Sequence, residues 1–131
     1  MHIRITTPER TVFEARDAEH VLLPSEAGEL GVLPGHMPMV CTLQVGRIRV
    51  DLPETTIQMA TSGGFAEVLN DDVSVLADTA EKAEEIDVER ARQARQRAEE
   101  RLKRRTEDTD IVRAHAALAR AINRLHVAGA E

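Results

Sequence analysis

The chain of 131 residues has no tryptophan, no tyrosine and only two phenylalanines. It therefore has almost no rings on which bases could stack. Its net charge of −6 also denies it the basic field that nucleic acid requires. A single cysteine, Cys41, excludes an intramolecular disulfide and any cysteine-clustered metal site. A lone thiol fits a reducing compartment. No apolar run approaches the ~18 residues that suggest a membrane span. The start, Met1-His2-Ile3-Arg4, alternates at once and lacks the apolar stretch of a signal peptide. The expectation is a soluble protein that reaches a membrane only through a partner.

Proline and glycine are absent from residues 65–128. All five prolines lie at or before Pro53, and six of the seven glycines lie at or before Gly64. Charge divides in a similar place. Residues 1–84 carry 6 basic and 14 acidic side chains, whereas residues 85–131 carry 11 basic and 9 acidic. Such asymmetry predicts two parts that meet different surfaces.

The first part alternates with a period of two. Ile3/Ile5, Val12–Ala15, His20–Leu23, Val45/Ile48/Val50, Thr55–Met59, Phe65–Leu69 and Val73–Ala77 read as short strands between turns. Asn70-Asp71-Asp72 predicts a hairpin between the last two. The second part has helical spacing. Ala91, Ala94, Ala98 and Leu102 form one stripe, and Ile111, Ala114, Leu118, Ala121, Leu125 and Ala128 form another. Asp87 is a candidate N-cap for the first helix, and Asp108 or Thr109 for the second. The polar link 106–110 predicts an antiparallel pair. The expected fold is α+β with segregated parts. About ten short strands form an all-β sandwich over 1–84, and a two-helix hairpin follows over 85–131. Alanine seams bury little area, so the pair is expected to be weakly held and able to rearrange.

Catalytic chemistry is hard to find. There is no G-x-x-x-x-G-K-[ST] loop, no G-x-G-x-x-G opening a helix and no H-E-x-x-H. Cys41 reads as a buried, inert thiol. Ser62-Gly63-Gly64 reads as a tight turn or bulge. These readings point to a binding or regulatory module and not to an enzyme.

One run is specific: Glu26-Ala27-Gly28-Glu29-Leu30-Gly31-Val32-Leu33-Pro34-Gly35-His36-Met37-Pro38. It resembles the signature of the epsilon subunit of F-type ATP synthases. The likeness continues through Ser62–Val68, Asn70–Ala80, Ile86–Ala91 and Arg120–Leu125, in order and at family length. It implies a non-catalytic stalk subunit that couples the catalytic head to a proton-driven c-ring. The implied partners are the gamma subunit, the c-ring and the catalytic beta and alpha subunits. The implied location is the cytoplasmic face of a bacterial cell membrane, peripheral and within the complex. Glu29 and His36, on one loop, are implied to face the ring and gamma. The basic stretch 90–105, with Arg101, Lys103, Arg104 and Arg105, is implied to meet an acidic segment of beta when the hairpin extends and inhibits ATP hydrolysis.

The same resemblance implies ATP as a regulatory ligand of the hairpin, with no catalytic cofactor. Ile86-Asp87-Val88-Glu89-Arg90-Ala91 matches the nucleotide motif, although Asp87 also reads as a plain N-cap. Arg120 and Arg124, one turn apart on one helix face, can clamp a polyphosphate. Glu81 and Asp87 would lie near the adenosine end, with Ile86 as an apolar wall. Ala91 would allow close approach. Arg90 and Arg97 would join the phosphate side. The alternative is a purely structural coupling subunit without nucleotide sensing.

Overall fold

The structure is a computed structural model and describes residues 1–130. The chain divides into two compact units, Met1–Lys82 and the part from Ala83 onward.

The first unit holds ten strands. They are β1 (His2–Thr6), β2 (Thr11–Ala15), β3 (His20–Ser25), β4 (Gly28–Val32), β5 (Met39–Leu43), β6 (Gly46–Asp51), β7 (Thr56–Thr61), β8 (Gly64–Leu69), β9 (Asp72–Ala77) and β10 (Ala80–Lys82). Hydrogen bonding runs in the order β10-β7-β6-β3-β5-β8-β9-β1-β2, with β4 also on β3. The link between β3 and β5 is one residue pair, Ser25 with Leu43. The path therefore breaks there into two groups of five strands, the two sheets of a sandwich. Period-two patterning fills the space between them. Ile3, Ile5, Val21, Leu23, Ile48, Val50, Val73 and Val75 are each at most 1% exposed.

Three strands, β4, β5 and β10, were not among those read from alternation; in β5 the apolar run Met39-Val40-Cys41 hides the period of two. β4 (Gly-Glu-Leu-Gly-Val) has poor strand propensity, and its pairing with β3 along Val21–Ser25 sets its conformation. β10 is only three residues long, too short to alternate. The β8–β9 hairpin is as expected, and its tip is tighter than the three polar residues implied. Leu69 already pairs with Asp72. Asn70 and Asp71 alone form the turn, with φ +51 and +62, as a type I′ hairpin requires.

Two carboxyls are held below their ordinary values at the strand edges. His2 lies between Glu14 Oε2 at 2.6 Å and Asp72 Oδ1 at 2.9 Å, and its hydrogen bond lowers the Glu14 carboxyl. Asp51 is lowered first by Arg49 at 2.9 Å, with help from Thr56 and His20. Both groups favour the charged, folded form. Their contribution is present above the unfolded carboxylate value and is lost as pH falls through the lower folded value. Urea unfolding between about pH 6 and pH 3 should show stability falling with acid. Glu14→Gln and Asp51→Asn should flatten that slope, and salt should shrink it, more at exposed Glu14 than at half-buried Asp51. A slope unchanged in both variants would contradict the assignment.

The second unit opens with a 3-10 turn, Ala83–Glu85, followed by α1 (Val88–Lys103) and α2 (Ile111–Val127). Asp87 caps α1, accepting from Arg90 N at 3.0 Å. The cap of α2 is Asp110, which accepts from Arg113 N at 3.0 Å, and not Asp108 or Thr109. Those two residues close the preceding turn with Thr106. Thr106 N donates to Thr109 Oγ1 at 2.9 Å, and Asp108 N to Thr106 Oγ1 at 3.3 Å. α2 ends in a Schellman motif. Gly129, at φ +74, donates to His126 O, and Ala130 N donates to Leu125 O at 2.9 Å.

Ala91, Ala98, Ala114, Ala121 and Leu125 are buried, as the stripes predict. Ile111 is not: it lies in the first turn of α2 and is 38% exposed. Burial at the end of α2 falls on Val127, outside the expected stripe, whereas Ala128 is half-buried and serves as the C-cap.

Candidate functional site

The proposed subunit-contact segment runs from β4 into a turn. Glu29 stands in β4, paired with Pro24, and is not in the loop with His36 as expected. The segment 28–32 is strand because its backbone groups pair with β3. Glu29 is exposed, and its Oε1 lies 3.8 Å from Arg47, a surface pair too loose to fix it. His36 closes the next turn, its N–H donating to Leu33 O at 3.1 Å. His36 Nδ1 lies 2.8 Å from Met37 O. A carbonyl only accepts, so Nδ1 donates and Nε2 remains for a partner.

Next to this turn is a feature that the sequence reading missed. Val40, Phe65 and Leu76 are 57–68% exposed, and Met37 is 76% exposed. Phe65 pairs with Leu76 on one side and Thr42 on the other, so these side chains share the outer face of β5, β8 and β9. An exposed apolar strip of this kind is suited to contact with another protein. A signal was available: in β8, Phe65 and Leu69 alternate with the inward Ala66 and Val68, so both strand faces carry large apolar residues.

Gly63 and Gly64 turn the chain into β8 at φ +130 and +141. Cys41 is half-buried and not fully buried as expected. Desolvation pushes its thiol up, which makes it a poor nucleophile.

The sequence-predicted nucleotide residues fall in both units. Glu81 sits in β10 opposite Ala60 and belongs to the β unit. In the helical unit, Ile86 and Ala91 are buried at 7% and 0% exposure. Asp87 uses its carboxylate to cap α1, as its plainer reading predicts. Arg90, Arg97 and Arg120 are exposed, and Arg124 is half-buried.

A cleft of about 580 Å³ lies at the link end of the hairpin, with Arg101, Arg113 and Arg120 on its walls beside Asp108 and Asp110. A smaller one, about 320 Å³, is lined by Arg97, Glu100, Arg101, Arg104 and Thr109. Arg101 and Thr109 line both, so these residues connect Arg97 to Arg120. Ala114, Ala116 and Ala117 leave the larger cleft open. Arginines lining open space can take an anion with several oxygens, with Asp108, Asp110 and Glu100 on the same walls opposing it. Arg113 was not anticipated, yet it stands seven residues before Arg120 and so on the same face of α2. Arg101 and Arg104 were expected to meet beta, and here they line clefts. Lys103 ends α1, and exposed Arg105 follows the C-cap Arg104. Among the described residues no group of His, Cys, Asp or Glu is arranged to hold a metal ion. No helix there is long and apolar enough to cross a membrane.

Comparison with known proteins gives the same two-part division. Residues 1–83 match the family model for the ATP synthase delta/epsilon chain beta-sandwich domain, and residues 84–129 match its long alpha-helix domain. The ATP synthase epsilon chain of Bacillus subtilis is 52% identical over 97% of this chain and 96% of its own length. That of Moorella thermoacetica is 50% identical over 99% and 97%. Among solved structures, a chain of the Euglena gracilis mitochondrial ATP synthase superposes with a TM-score of 0.79 at 27% identity, covering 89% of this chain and 74% of that one. A chain of the Tetrahymena thermophila mitochondrial central stalk and c-ring shares the fold at a TM-score of 0.64 and 8% identity. With both units matched in order and bacterial epsilon chains about half identical over nearly the whole length, the chain belongs to the ATP synthase delta/epsilon chain family, as a non-catalytic, epsilon-type subunit.

Proposed function

We propose that this chain is a rotor subunit of the central stalk of an F-type ATP synthase, and that its helical hairpin restrains ATP hydrolysis under control of bound ATP. The β unit would couple the catalytic head to the proton-driven c-ring by holding gamma and the ring. The apolar strip beside the His36 turn supports this, since it is continuous with the segment that the family signature marks. Glu29 and His36 would supply its polar contacts. The complex would place the chain on the cytoplasmic face of the cell membrane.

The observation that carries the regulatory reading is the pair of arginine-lined clefts in the hairpin. A polyphosphate held there by Arg97 and Arg120 would bridge α1 and α2, with Arg124, one turn further along α2 and outside both clefts, as an added phosphate contact. Asp87, Ile86, Arg90, Ala91 and Glu81 would complete the nucleotide set. The hairpin would then exchange between a folded-down state that binds ATP and an extended state that enters the head. In the extended state Arg101, Lys103, Arg104 and Arg105 would face acidic groups of beta, with alpha adjoining. ATP shifts that balance only by its differential affinity for the two states. The alanine seam suits a switch of this kind, because little buried area must be given up.

Isothermal titration of the full chain with ATP, with hydrogen exchange followed across α1 and α2, tests the reading. Saturable binding with slowed exchange in the hairpin is expected. Absence of binding would leave the second reading, a coupling subunit that senses nothing. That reading has its own support: Asp87 is fully accounted for as a helix cap.

A further inference from the structure

Asp71 is in none of the contact or nucleotide sets above. It occupies the β8–β9 turn, and its Oδ1 accepts from Gly35 N at 2.6 Å. Gly35 is thirty-six residues away in sequence and is the third residue of the turn Leu33-Pro34-Gly35-His36. His36 N donates to Leu33 O to close that turn. Proline in second place and glycine at φ +81 in third make it type II. Type I and type II turns share their ends and differ by a flip of the central peptide, here Pro34–Gly35. The N–H of that peptide takes no part in the turn's own hydrogen bond. The Asp71 carboxylate accepts it, so it holds the peptide in the flipped orientation. Asp71 is itself anchored, because its carbonyl accepts from His2 N at 2.9 Å. The tip of one hairpin thus sets the form of another turn.

We infer that Asp71 is a positioning residue for the subunit-contact turn: its carboxylate fixes the Pro34–Gly35 peptide and, through it, the presentation of His36 and Met37. This rests on the reading of that turn as a rotor contact. His36 follows the fixed peptide directly, and its Nδ1 bond to Met37 O passes the constraint one residue further. The hydrogen bond is charge-assisted but exposed, so the effect on binding is moderate.

Two variants of the full chain test it. Asp71→Gly removes the carboxylate and tolerates the turn's positive φ, so the hairpin keeps its shape. Asp71→Asn keeps an acceptor oxygen and also tolerates that φ. Each is titrated against ATP synthase stripped of its own epsilon-type subunit, beside His36→Ala, and Gly35 amide exchange is read by NMR in the isolated chain. In Asp71→Gly, Gly35 should exchange faster and Kd should rise roughly threefold to tenfold. Its thermal midpoint should be close to native, and Asp71→Asn should recover most of both losses. Unchanged Gly35 exchange in Asp71→Gly, or native affinity despite faster exchange, would overturn the inference. Native affinity in His36→Ala would instead overturn the contact reading, while Gly35 exchange still judges the positioning.

Discussion

Replacing Gly64 by alanine should destabilise the β unit by about 3 kcal/mol or more, enough to threaten folding at ordinary temperatures. Two separate costs arise. The residue sits at φ +141, a region that L side chains rarely adopt. An added Cβ would also overlap the Leu76 carbonyl oxygen and lie 2.9 Å from Ala77 Cα. Both obstacles are backbone of the paired strand β9, which cannot move without breaking the β8–β9 ladder. The other glycines supply controls. At Gly28 the backbone is also left-handed, but nothing lies within 4 Å of an added Cβ, so only the conformational cost remains. At Gly31 the obstacle is His20 Nε2 at 2.9 Å, the far end of a side chain that can turn aside. The expected order of destabilisation is therefore Gly64→Ala well above Gly28→Ala and Gly31→Ala. Urea denaturation of the three variants reads it. A mild Gly64→Ala would mean that the Leu76 carbonyl of β9 does not close on Gly64.

The second large effect concerns the hairpin. On the proposed nucleotide reading, Arg120→Ala combined with Arg124→Ala should weaken ATP binding by roughly a hundredfold or more. Two charge-assisted hydrogen-bonding groups at about 1.5–3 kcal/mol each would be lost. Their geometry suits joint action, since a spacing of four puts both on one face of α2. Stability should change little at Arg120, which is exposed. Arg124 is half-buried, and truncating its stem removes packing as well as charge, so Arg124→Lys separates the two roles. A lysine keeps charge and stem but loses the planar fork. Calorimetric titration of the single and double variants checks this. Full affinity in the double variant would remove α2 from the nucleotide site. The clefts make a further distinction. Arg113→Ala should weaken binding if the phosphates extend into the larger cleft, and should be silent if they stay near Arg97.

Much of this was readable from residue order alone. Alternation at Ile3/Ile5 and Val73/Val75 placed strands, because a half-buried strand must repeat every second residue. The loss of glycine and proline after Gly64 removed the turn formers, and the spacing of Ala91, Ala98, Ala114 and Ala121 marked a helical seam. The family signature at 26–38 identified the class of protein. Asp87 was legible as a cap because that role is local, needing only an oxygen near the N–H three residues on.

Apart from the cap of α2, which a local turn decided, what remained hidden depended on partners far away in sequence. Asp110 displaced Asp108 and Thr109 as a cap because both belong to the turn at Thr106, which uses Thr109 Oγ1 and the Asp108 N–H, and the helix starts only after it. Segment 28–32 became a strand only because β3 offered it a ladder, which moved Glu29 off the loop of His36. The outward face of Val40, Phe65 and Leu76 needed the register of three strands before it could be seen as one patch. The gathering of Arg97, Arg101, Arg113 and Arg120 around neighbouring clefts needed the hairpin to close. Asp71 shows the division most plainly. Its residue type announced a turn, but its carboxylate found Gly35 only when the sheets brought two distant turns together. Local chemistry and periodicity are written along the chain, whereas tertiary pairing alone decides which turn, carboxylate and arginine become neighbours.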